Sequence, residues 1–276
     1  MRKFYLVLLL IFLMTTNLTM AKRYIGGDEW NRQKLTQEVF LSQKATIQEL
    51  ILRTVKVVNE RQKKVGTAFL YKQDETSYTF LTNYHVISGQ RECHDSKILI
   101  INEEFKKFRG KCERTLDSGS IKSGSDYTYF TVKKTNRISF LESISDIKLN
   151  YPTPKAGDRL VSVGFGAGKA NLRRYDASII QDKDCVYLTG NIDLIFNKDK
   201  VRDVFFTACD AQSGDSGSAI MNSDTGDIIG LFFGVADQTK NNPLSSSEVW
   251  DNLGTDFMEF YTNSSMSIDL KTIQMK

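Results

Sequence analysis

From position 54 onward the chain is a series of short runs of β-branched and aromatic residues cut by polar turns, and this rhythm limits its fold more than any other feature. Thr54-Val55-Lys56-Val57-Val58 comes first, after Ile51 and Leu52, which read as the start of the strand region. Residues 65–71 and 78–82 follow, each behind a charged or polar turn, and further strand candidates span 97–101, 127–132, 159–165, 175–180, 203–207, 219–221 and 228–233. Helical spacing is weak. Leu35, Val39 and Phe40 allow a helical turn or two within residues 31–51, and residues 255–262 fit a short C-terminal helix. The pattern predicts an all-β barrel or sandwich. Two of the three prolines, Pro152 and Pro154, fall between the strand-rich halves and read as a linker or crossover. The expected organisation is a lead-in over 22–50, a first β unit over 51–150, a second over 151–245 and a C-terminal segment over 246–276.

The first 21 residues read differently. Arg2 and Lys3 precede an apolar run over 4–14, and a polar stretch ends at Ala21. A basic start, a short apolar core and a small residue before a cut make a secretory signal peptide, and the run is short for a membrane span. The alternative is an uncleaved anchor. Cleavage after Ala21 leaves Lys+Arg 35 against Asp+Glu 33, a net charge of +2. That balance calls for neither nucleic acid nor anionic lipid as a partner. Export permits disulfides, and the cysteines are even in number: Cys93, Cys112, Cys185 and Cys209. Of three possible pairings, Cys93 with Cys112 and Cys185 with Cys209 are favoured because each closes a short loop. A zinc site is the alternative; the chain has no C-x-x-C, and His94 is the sole histidine near a cysteine.

Candidate chemistry centres on Gly214-Asp215-Ser216-Gly217-Ser218. Taken alone, such a cluster is a polar turn, or a nucleophile flanked by glycines that let backbone approach a substrate. A nucleophilic serine needs a base and a carboxylate to orient it. The chain has two histidines: His85 at the end of an apolar strand, and His94 in a polar stretch that reads as a surface loop. Asp126 stands directly before an alternating strand. Each of these residues also has a purely structural reading. Their order, His85, Asp126, Ser216, with gaps of 41 and 90 residues, joins them. The α/β-hydrolase order fails because no histidine follows Ser216, and the subtilisin order needs an Asp before the histidine. A phosphate-loop reading of Gly164-Phe165-Gly166-Ala167-Gly168-Lys169 also fails on spacing, since Ala170 follows the lysine.

With these pieces in order, the chain resembles the trypsin-like serine peptidases, nearer their bacterial glutamyl-endopeptidase-like branch than the digestive enzymes. The matching segments are Gly66-Thr67-Ala68-Phe69-Leu70, Leu81-Thr82-Asn83-Tyr84-His85-Val86, Asp126-Tyr127-Thr128, Val161-Ser162-Val163-Gly164-Phe165, Cys209-Asp210, the 214–218 loop and Ile229-Gly230-Leu231. They span roughly residues 24–260. The resemblance implies a chymotrypsin-like fold: two antiparallel six-stranded β-barrels with the active site in the cleft between them, His85 and Asp126 on the first and Ser216 on the second. It implies an exported serine endopeptidase, periplasmic or secreted, acting on proteins or peptides through an acyl-enzyme. It further implies Gly214 and Ser216 N–H groups as the oxyanion hole, no metal or cofactor, a monomer, and no stable membrane insertion once the signal is cut. The alternatives are a protease-like binding module without turnover, and an esterase.

Two expectations concern activation and specificity. Asp215 stands where many bacterial relatives have Asn. In the trypsin class such an Asp pairs with a freshly cut N-terminal amine, and Tyr24-Ile25-Gly26-Gly27 behind Lys22-Arg23 resembles that terminus. Cleavage after Arg23 would then give an Asp215–Tyr24 pair. Asp210, six residues before Ser216, matches by position the acid at the base of a pocket for Arg or Lys. Phe232 stands about where the glutamyl branch has a specificity histidine, which argues against glutamate preference. The 229–234 strand also lacks the serine that supports the triad carboxylate in the trypsin class.

Overall fold

The computed structural model describes residues 32–167, 171–181, 183–196, 199–235, 253 and 264–273. The signal segment, Tyr24 and the expected helix over 255–262 lie outside these residues.

The first half begins with helices, where two short elements stand. Helix α1, Gln37–Leu41, starts at Thr36, whose hydroxyl accepts from the Val39 N–H at 3.2 Å. Helix α2, Ala45–Arg53, buries Ile47, Leu50 and Ile51 on one side. Ile51 and Leu52, expected in a strand, close this helix instead. Only at Thr54, where the β-branched run begins, does the backbone extend.

Six strands then close a barrel: β2 (Thr54–Asn59), β3 (Lys64–Gln73), β4 (Ser77–Thr82), β5 (Ser96–Ile101), β6 (Lys107–Gly119) and β7 (Tyr127–Lys133). Their order is β2-β3-β4-β7-β6-β5, all antiparallel, with β5 returning to β2. Closure leaves no free edge. The interior holds Val55, Leu70, Phe80, Ile98 and Phe130, with the Phe80 and Phe130 rings stacked at 5.6 Å. Each such burial contributes about 1.5–3 kcal/mol. Between β4 and β5, helix α3, Gln90–Asp95, carries His94, which was expected in a loop. His94 is exposed and contacts Gln90 and the Glu113 carbonyl. Cys93 on α3 is bonded to Cys112 on β6, as the sequence favoured.

The second half departs from expectation. Among the described residues its sheet has eight strands and does not close into a barrel. The strands are β8 (Leu160–Gly164), β9 (Ser178–Ile180), β10 (Tyr187–Phe196), β11 (Asp199–Thr207), β12 (Ala219–Asn222), β13 (Ile228–Val235), β14 (Ser265–Asp269) and β1 (Arg32–Lys34). Their order is β1-β9-β8-β12-β13-β14-β11-β10. The fold is therefore mostly β, with one closed barrel and one open sheet. Within the lead-in expected over 22–50, β1 forms one edge of the second sheet, pairing Arg32 with Ile180. Cys185 and Cys209 are bonded, again as favoured. After β14 the chain returns to the first barrel, where the Tyr129 hydroxyl donates to the Ile273 carbonyl at 2.6 Å. Among the described residues no helix is long and apolar enough to cross a membrane.

Candidate active site

Strand β4 ends at Thr82, and the next residues turn sharply. The Asn83 carbonyl accepts from the Val86 and Ile87 N–H groups, at 3.1 and 3.2 Å. The Asn83 side chain donates to the Asp126 carbonyl at 2.8 Å. His85 is thereby held over the residue that precedes β7. Its Nδ1 lies 2.6 Å from Asp126 Oδ2, and its backbone N–H donates to Asp126 Oδ1 at 3.0 Å. Asp126 is buried while the His85 side chain is 43 % exposed. A buried carboxylate facing Nδ1 selects the tautomer with hydrogen on Nδ1, which leaves Nε2 as a base. The support for this carboxylate, which the sequence did not supply from the 229–234 strand, comes from the backbone of His85 itself.

The serine loop meets this barrel from the other side. The Thr67 N–H of β3 donates to the Ser216 carbonyl at 2.8 Å, and the Thr67 hydroxyl donates to the Gly214 carbonyl at 2.9 Å. That hydroxyl also accepts from the Phe165 N–H at 3.1 Å. Gly214 and Gly217 have φ of +102° and +91°, which explains glycine at both positions. At Gly217 the requirement is also spatial: a Cβ would stand 1.9 Å from the Thr67 carbonyl oxygen. The Gly217 N–H donates to the Phe232 carbonyl on β13, which fixes the far side of the loop. Among the described residues, the Gly214 and Ser216 N–H groups donate to no protein acceptor, and no hydrogen bond joins the Ser216 hydroxyl to His85.

The remaining candidates lie around this loop. Asp210 is fully buried beside the Cys185–Cys209 bond. Phe232 is buried in the apolar cluster that holds Cys185, Cys209 and Tyr187. Asp215 is buried, and its carboxylate faces Arg32 of β1: Nη1 to Oδ2 at 2.5 Å and Nη2 to Oδ1 at 2.9 Å. Tyr24 lies outside the described residues. Sequence reading missed Arg32 because nothing in its neighbourhood sets it apart from other lead-in cations. Thr67 and Asn83 stand within the matching motifs, but nothing in those motifs marks the contacts they make. Among the described residues no group of three or more His, Cys, Asp or Glu side chains could hold a metal ion.

A closed barrel bearing a His–Asp pair, latched to a sheet that presents a Gly-Asp-Ser-Gly loop, is the plan of trypsin-like peptidases. Sequence comparison agrees: the profile of the trypsin-like peptidase domain matches residues 66–231, more than half of the chain. The chain belongs to that family. No curated protein matches it. Solved structures share its fold at low identity. Deg5 is 14 % identical, with a TM-score of 0.54 over 87 % of this chain and 92 % of that one. The inactive form of the Rv3671c protease is 15 % identical, with 0.52 over 83 % and 89 %. The MamO protease domain of Magnetospirillum magneticum is 10 % identical, with 0.53 over 82 % and 96 %. At such identities the likeness shows the fold alone.

Proposed function

We propose that this peptidase-domain protein is an active, exported serine endopeptidase with His85, Asp126 and Ser216 as its triad. The observation that carries the reading is the contact of His85 with Asp126 on the barrel whose Thr67 also grips both Gly214 and Ser216. The Ser216 hydroxyl attacks the peptide carbonyl while His85 Nε2 takes its proton. Asp126 holds the Nδ1–H tautomer and stabilises the imidazolium. The oxyanion forms between the uncommitted N–H groups of Gly214 and Ser216, donors whose individual loss costs about 10²–10³-fold in kcat. Collapse expels the amine, which takes the proton from His85. Water, deprotonated by the same ring, then frees the acyl group. No step calls for a metal or cofactor.

For specificity the first candidate is a basic side chain before the cut, from the position of Asp210. Phe232 puts no cation where the glutamyl branch has its histidine, so the motifs that resemble that branch do not bring its preference with them. The two disulfides and the signal-like start support action outside the cytoplasm, in the periplasm or beyond the cell.

The deciding experiment compares wild type and Ser216→Ala with a fluorophosphonate probe and a peptide library. Wild type labels at Ser216 and cleaves, and Ser216→Ala does neither. A wild-type protein that takes no label and cuts nothing across pH is a binding module, and one that turns over small esters but not peptides is an esterase.

A further inference from the structure

The loop that precedes Ser216 is organised by a residue almost two hundred positions away. Arg32 Nη1 donates to the Asp210 carbonyl at 2.8 Å and to Asp215 Oδ2, while Nη2 reaches Asp215 Oδ1. The Gln212 carboxamide, oriented with its oxygen toward the donors, accepts from Arg32 Nε at 3.3 Å and from the Ala167 N–H at 3.0 Å. Asp215 Oδ2 also takes the Gln212 N–H at 2.8 Å. One guanidinium therefore ties down positions 210, 212 and 215 together, and both charged side chains are 1 % exposed.

The surroundings are shaped for this ion pair. A Cβ on Gly164 would lie 2.3 Å from Asp215 Oδ1, and one on Gly166 would lie 2.6 Å from Arg32 Nη2. The glycines that resembled a phosphate loop instead make a slot for the fork and its carboxylate. Strand β1 delivers the arginine: Arg32 pairs with Ile180, and the Leu35 N–H donates to the Ala177 carbonyl at 2.9 Å. Gln33 and Lys34 are exposed, whereas Leu35 is buried and anchors the strand.

We propose that Arg32 is the positioning residue for the oxyanion loop. Its guanidinium fills the place that a cleaved N-terminal amine would take on Asp215, so docking of β1 on β9, without a proteolytic cut, makes the site competent. This rests on the reading of Ser216 as nucleophile. Asp215 adjoins both Gly214 and Ser216, so a rotation of its peptide re-aims both proposed oxyanion donors. A bidentate arginine fixes that peptide better than an ammonium, which is a single point charge. Without the arginine, the buried carboxylate must turn toward water, taking the loop with it.

The test measures kcat and KM, probe labelling at Ser216, and amide hydrogen exchange over 210–218 in wild type, Arg32→Met and Arg32→Lys. Arg32→Met is expected to lose about 10²-fold in kcat and in labelling rate, with KM changed less than threefold. Arg32→Lys recovers part of this, and exchange at Gln212, Asp215 and Ser218 speeds up in step with the loss. Chains beginning at Lys22 and at Tyr24 are expected to have kcat/KM within twofold of each other. Where Arg32→Met does not fold, Arg32→Lys gives the same readouts. Wild-type kcat and unchanged exchange in Arg32→Met overturn the proposal, as does activity that appears only with a free Tyr24 amine. A wild type that never labels sinks the peptidase reading alone, because loop exchange still tests the Arg32 contact.

Discussion

The Thr67 N–H in the closed barrel lies 2.8 Å from the Ser216 carbonyl in the open sheet, and the Thr67 side chain binds Gly214 two residues earlier. One residue of the first half thus sets the height and tilt of the serine loop of the second. The contact makes the distance between His85 and Ser216 a property of the seam between barrel and sheet, and not of either alone.

That relationship gives the first prediction. Thr67→Val keeps the shape but strips the donor from Gly214 and the acceptor from Phe165. The loss of buried hydrogen bonds costs about 1–3 kcal/mol, read as a lower urea midpoint, and kcat/KM falls roughly tenfold by loosening of the loop. Thr67→Ser, which retains the hydroxyl, restores most of both.

Gly217 is less tolerant. Alanine there meets the Thr67 carbonyl oxygen and the Thr82 hydroxyl at a φ that L-residues avoid. We expect Gly217→Ala to lose more than about 2 kcal/mol and nearly all probe labelling. A crystal structure of the variant would show the 214–218 loop displaced from β3. An unmoved loop with normal labelling would contradict this account.

At the base, Asp126→Asn leaves the size of the side chain unchanged and removes the anion beside Nδ1. The asparagine amide favours the wrong tautomer, and kcat at neutral pH should drop on the order of 10⁴-fold. Thermal unfolding checks that the turn over 83–87 survives.

A fourth prediction concerns Lys56, a buried lysine on β2 whose ammonium donates to the carbonyls of Asn171 and Arg174 and so holds the 171–176 segment to the barrel. Burial pushes its pKa down to about 8, partly offset by Asp176, with Lys107 lowering it further. A folded value below that of the unfolded chain means that the unfolded state binds more protons between about pH 8 and 10.5. The cost of burying the charge is fully present below that window, and this contribution to stability improves as pH rises through it. Urea midpoints of wild type minus Lys56→Met, measured from pH 7 to 10.5, should therefore increase with pH. A flat difference would show that the ammonium is not under strain from burial.

Much of the first barrel was legible because its strands bury their residues in runs. Val55, Val57 and Val58 announce β2, and residues 78–82 announce β4. Strand β6 was not legible. It reads Lys107-Phe108-Arg109-Gly110-Lys111, with its exposed face turned to water, so polarity hid a strand that the barrel needs for closure. Ile51 and Leu52 misled in the opposite way, since a short apolar run fits a buried helix end as well as a strand. The second sheet was misjudged because β1, β10 and β14 do not stand out by composition. The pairing of β1 with β9 depends on tertiary contact alone.

At the candidate site, the contact of His85 with Asp126 could be anticipated because a base and its orienting carboxylate restrict residue type. The partner of Asp215 could not. Many cations could satisfy a buried carboxylate, and the one that does is chosen by a strand pairing that leaves no mark in local sequence.

That pairing joins residues about 150 positions apart. A polypeptide is made from its N-terminus, so Arg32 emerges early and waits while both halves of the protein are built behind it. Asp215 follows 183 residues later. Arg32 is thus already present when Asp215 is made, and the ion pair has to wait only for the pairing of β1 with β9.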